Sequence, residues 1–126
     1  MLVPLLALLA AGACGSATRR CGYEFEARVV QGPDLGTTLA GRLALEINPA
    51  GSLNGVLIGN DGTQINVVGQ ATGRAVNLVF DLGGGLNVFG VGTAQQPVDA
   101  CQGVMGGPFA GPHPGSTGDW IARATR

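Results

Sequence analysis

Tyr23-Glu24-Phe25-Glu26-Ala27-Arg28-Val29 alternates apolar and polar side chains for seven residues. A period of two places alternate residues on opposite faces of a strand, so this stretch reads as a β-strand buried on one side. The same rhythm recurs downstream. Leu39, Leu43, Leu45 and Ile47 alternate with Arg42, Ala44 and Glu46; Ile65, Val67, Gly69 and Ala71 with Gln64, Asn66 and Gln70; Val76, Leu78, Phe80 and Leu82 with Asn77 and Asp81. Segments 53–59, 86–93, 101–111 and 118–125 carry a weaker form, blurred by glycine. No stretch after residue 21 has a helical period.

Turn signals separate the segments. They include Gln31-Gly32-Pro33-Asp34, Asn48-Pro49-Ala50-Gly51, Asn60-Asp61-Gly62, Thr72-Gly73, Gly83-Gly84-Gly85, Gln96-Pro97 and Pro112-His113-Pro114-Gly115. Gly and Asn supply the positive φ of tight hairpins. Eight short strands with short connections imply antiparallel neighbours in sequence order. An eight-stranded meander leaves two open edges unless it closes, so the expected fold is all-β: an antiparallel up-and-down sheet closed into a small barrel. Glycines within strands, such as Gly41, Gly55, Gly69 and Gly90, suit tight coiling. The alternative is a two-sheet β-sandwich, with residues 95–99 as the longer crossover it requires.

Upstream of the barrel the chain changes character. Residues 2–11 are an apolar run, too short for a spanning helix of about 20 residues but suited to the core of a secretory signal. Ala11-Gly12-Ala13 leads directly into Cys14. Small residues before a cysteine form the cleavage site at which that cysteine receives lipid, although Ala11 stands where leucine is usual and a basic start is missing. The reading is a signal peptide over 1–13, a lipidated Cys14 with a short linker over 14–20, and one barrel domain over 21–126. The alternative is plain secretion by cleavage after Ala13.

Cysteine number supports the lipid. Of Cys14, Cys21 and Cys101, one must remain unpaired in an oxidising compartment. With Cys14 modified, Cys21 and Cys101 form the expected disulfide. Cys21 lies at the start of the first strand and Cys101 at the start of the seventh, so an up-and-down barrel puts both on one rim.

Chemistry is sparse. Seven arginines, no lysine and eight acids leave a formal net charge of −1, which gives no reason to expect a nucleic-acid partner. Glycine at 23 of 126 residues is well above the usual share of about 7%; with the arginine bias it suggests a GC-rich bacterial genome. A catalytic triad would have to use His113, the single histidine, and its proline neighbours indicate a stiff exposed loop. One histidine provides no zinc site. Glu24 and Glu26 face solvent, opposite Tyr23 and Phe25. Asn60-Asp61-Gly62 lacks the other ligands of a calcium loop, and Gly83-Gly84-Gly85 lacks the lysine of a phosphate loop. No catalytic residue, metal or cofactor is therefore expected. The aromatic residues Tyr23, Phe25, Phe80 and Trp120 are the candidates to line a pocket inside the barrel, if the interior is hollow.

The layout of lipidation cysteine, disulfide and compact barrel resembles small bacterial envelope lipoproteins, and more loosely the calycin group of lipocalins and avidins. Lipocalins carry Gly-x-Trp on the first strand, whereas Gly118-Asp119-Trp120 stands on the last. The export signal and the empty chemical inventory lead us to expect a protein of the bacterial cell envelope, a monomer outside the cytoplasmic membrane and attached to it through Cys14. Its expected role is non-enzymatic, structural or protein-binding, with loops 31–37 and 107–118 as the interaction surface. A carrier of a small apolar ligand and a secreted inhibitor-like domain are the alternatives.

Overall fold

The computed structural model describes residues 17–125. Eight strands follow in order: β1 (Arg19–Gln31), β2 (Thr38–Ile47), β3 (Ser52–Gly59), β4 (Gln64–Thr72), β5 (Ala75–Gly83), β6 (Leu86–Ala94), β7 (Val104–Ala110) and β8 (Thr117–Ala124). Each pairs antiparallel with the next, and β8 pairs with β1 to close the barrel. Closure removes the two free edges that a meander would expose and rules out the sandwich. The stretch proposed as a sandwich crossover is instead the β6–β7 connection. It contains a 3-10 turn at Val98–Ala100.

The alternation read from the sequence is the inside-outside alternation of the wall. Tyr23, Phe25 and Val29 of β1, Leu43, Leu45 and Ile47 of β2, and Val76, Leu78 and Phe80 of β5 are all buried. Their polar neighbours Glu24, Glu26, Arg42 and Asn77 are exposed. The interior is apolar throughout, so its burial drives folding at about 25 cal/mol per Å² of apolar surface.

Two inward glycines show how tightly the wall coils. A Cβ on Gly55 would fall 2.0 Å from the Ala44 carbonyl oxygen, and one on Gly69 would fall 2.0 Å from that of Asn77. Any side chain there would push adjacent strands apart. Gly83, at the same 14-residue spacing, plays no such part: it is a turn residue at φ 86 with open space around it.

The two rims differ. One carries the start of β1, the β2–β3 and β4–β5 turns and the β6–β7 connection. Cys21 and Cys101 are disulfide-bonded here, with Cα atoms 5.1 Å apart. Cys101 lies in the connection rather than in β7, and its φ of 56° is the only positive value on a non-glycine residue among those described. Val98 is buried, and its N–H donates to the Gly73 carbonyl oxygen at 2.9 Å. The connection thus lies across this end of the barrel and caps it. The opposite, distal rim carries the β1–β2, β3–β4, β5–β6 and β7–β8 loops and has no such cap. The β7–β8 loop is shorter than the expected 107–118, because Gly107–Ala110 continue β7 and only residues 111–116 connect the strands.

Candidate functional site

The distal end of the interior holds an apolar cavity of about 80 Å³. Phe25, Phe80 and Trp120 form its floor. The Phe25 ring centroid is 5.2 Å from that of Phe80 and 6.2 Å from that of Trp120, so the three make one aromatic layer across the barrel. Ala27, Val29, Val88 and Phe109 make the walls, and Thr37, Leu82 and Pro112 stand at the mouth. The mouth is apolar too: Leu35, Leu82 and Leu86 are exposed on this rim, Leu35 at 67%. The interior is therefore filled on the capped side and hollow on the open side. Three of the four aromatic residues proposed for a pocket line it. Tyr23 does not; it is buried away from the cavity, where burial raises its phenol pKa.

Alanine at position 27 is what opens the space. It points inward between Leu39 on β2 and Trp120 on β8, where a larger residue would occupy the volume. The Trp120 ring in turn needs the glycines opposite. A Cβ on Gly90 would lie 3.1 Å from its Nε1, and one on Gly92 would lie 2.9 Å from its Cζ2.

Beside the mouth, the β1–β2 and β7–β8 loops are tied together through Asp34. The Ser116 hydroxyl donates to Asp34 Oδ2 at 2.6 Å, and the Asp34 N–H donates to Ser116 Oγ at 3.1 Å. His113 Nδ1 lies 3.0 Å from both carboxylate oxygens. These contacts, the Ser116 bond foremost, hold the Asp34 carboxyl below the usual carboxylate range. The three residue types are those of a hydrolase triad, but the order differs. A triad needs histidine between serine and acid, so that it can take the serine proton. Here the acid stands between the other two, and Ser116 is buried at 1% exposure. The arrangement is a latch between loops.

Local sequence does not reveal that latch, because Asp34 and Ser116 are 82 residues apart. The signal lies in the topology: closing a meander makes the first and last strands neighbours, which brings their distal loops together.

Outside the same corner, a groove runs along the β7–β8 loop past Phe89, Pro112 and Pro114. Phe89 is 54% exposed. Pro112 faces both the groove and the cavity. Among the described residues, no three His, Cys, Asp or Glu side chains gather in a way that could hold a metal ion. Cys14 and the segment 1–13 lie outside the described residues.

Fold and cavity define the class: a small closed antiparallel barrel, calycin-like in architecture, capped at its disulfide rim and open at the other. No protein-family model matches the chain, and no curated protein matches it.

Proposed function

We propose that this protein is an exported, lipid-anchored binding protein of the bacterial envelope. In this reading the open rim accepts one apolar side chain of a protein partner. The observation that carries it is the wholly apolar cavity at the rim opposite the one where the chain enters the barrel. Attachment through Cys14 leaves that cavity facing away from the membrane.

Size favours a protein partner over a carried ligand. Pockets that enclose a small molecule run to about 300–1,000 Å³, and an engineered cavity of about 150 Å³ takes a single benzene. A space of about 80 Å³ suits the branched end of a leucine or isoleucine side chain. Below the threonines at the mouth, Thr37 and Thr38, the lining is carbon, with no charged side chain to orient a free ligand. An anchor residue in a desolvated pocket, ringed by further apolar contacts, is how protein interfaces concentrate their affinity. Leu35, Leu82 and Leu86 supply that ring.

In-cell photocrosslinking tests this. A benzoylphenylalanine placed at Leu86, on the open rim, is expected to give a protein adduct, and one placed at Thr72, on the capped rim, is not. Ala27→Leu fills the cavity from within and is expected to abolish the Leu86 adduct while the barrel stays folded. An adduct that survives Ala27→Leu unchanged contradicts a cavity-based interaction.

A further inference from the structure

The charged side chains are segregated along the barrel axis. At the capped rim, Arg19 and Arg20 begin β1, Arg74 lies in the β4–β5 turn and Arg123 is next to last in β8. All four are exposed. They face three acids, Glu46 at the end of β2, Asp99 in the 3-10 turn and Glu24, which lies across the β1–β8 pair from Arg123. Of the four, Arg20 alone is ion-paired, its Nε lying 3.1 Å from Glu46 Oε2. The distal half has the opposite sign: Asp34, Asp61, Asp81 and Asp119 stand against Arg28. A formal net charge of −1 for the whole chain conceals a basic end and an acidic end.

The basic end is also where the chain enters the barrel. Four residues lie between Cys14 and Arg19, so the two are at most about 17 Å apart at full stretch. Screening at physiological ionic strength acts over about 8 Å, so a slack tether would bring these arginines within reach of a charged surface.

We propose that the arginine rim is a docking surface for an anionic phospholipid bilayer, and that it holds the barrel upright with the cavity outward. The tether rests on the anchored reading above; the charge pattern stands without it. A basic side chain near an anionic bilayer strengthens binding by about fivefold. The acidic distal end is repelled by the same surface, so only one orientation satisfies both ends.

The test uses the exported chain with Cys14→Ser, which carries no lipid and keeps every barrel residue. It is expected to partition onto vesicles of equal parts phosphatidylcholine and phosphatidylglycerol and to stay off pure phosphatidylcholine. Binding should vanish near 1 M salt, where screening acts over about 3 Å. Arg19→Gln with Arg123→Gln should weaken partitioning by about 25-fold. Glu46→Gln frees Arg20 and should strengthen it, which a folding defect cannot mimic. Arg28→Gln, at the other end, should change nothing. Equal binding to the two vesicle types overturns the proposal, as does an Arg28→Gln loss as large as that of Arg19→Gln. If the anchored reading is wrong, the failure appears elsewhere, as native protein without lipid on Cys14, and vesicle binding by this variant is unaffected.

Discussion

Ser116 is the one polar residue buried among those described, and its hydroxyl both donates to and accepts from Asp34. Removing a buried hydrogen-bonding group leaves its partners unsatisfied and costs about 1–3 kcal/mol. Ser116→Ala is expected to lower stability by that amount, read as a shift in the urea midpoint at unchanged slope. The latch also has a pH dependence of definite sign. Because Asp34 is held below its ordinary value in the folded state, its contribution is complete above about pH 4. It is lost as pH falls through the lower folded value. Amide chemical shifts of Asp34 and Ser116, followed through acidification, should move in that window; shifts that move only above it contradict the assignment. None of this was legible from the residues alone. Asp34 reads as a turn former and Ser116 as a loop residue, and what makes them partners is strand pairing elsewhere.

At the scale of elements, the β6–β7 junction is the weak seam. Its ladder registers four pairs, against seven or more at every other junction. The gap spans Val91 and Gly92 opposite Gly107 and Pro108, and proline has no N–H to donate. Trp120 bridges it from inside the barrel, its Nε1 donating to the Val91 carbonyl oxygen at 3.1 Å. Trp120→Phe keeps one aromatic ring but deletes the donor and vacates the space of the other ring, and is expected to cost at least about 1–2 kcal/mol. Hydrogen exchange should quicken selectively in β6 and β7; uniform quickening would mean the seam is not local. Gly92→Ala should be worse, because its Cβ would lie 2.3 Å from the Gly106 carbonyl oxygen as well as against Trp120. The strands themselves were legible wherever polar residues mark the outer face, as in β1 and β5. They were least clean in β6 and β7, where glycine removes the contrast between faces. There the sequence carries the packing needs of Trp120 in place of an alternation.

On the scale of the whole molecule, closure, disulfide and charge segregation converge on one axis. Eight strands with short connections, and two cysteines at matching strand starts, were enough to anticipate the barrel and the Cys21–Cys101 bond. The cavity was only partly legible, since its existence depends on how Ala27, the aromatic layer and the capping connection divide the interior. The disulfide closes a span of 80 residues, which constrains the unfolded chain by about 4–5 kcal/mol in the entropy model. Cys21→Ser with Cys101→Ser should lose stability of that order in urea; a loss well under about 1 kcal/mol would mean that barrel closure alone restrains the chain. In the function proposed, this barrel is displayed from a membrane with its apolar mouth outward. The most direct test is the intact mass of the protein from its native membrane fraction. The expected species is a chain beginning at Cys14, heavier by a diacylglyceryl group and lighter by two hydrogens that reductant restores. A mature chain without lipid, or one that retains residues before Cys14, contradicts the proposal.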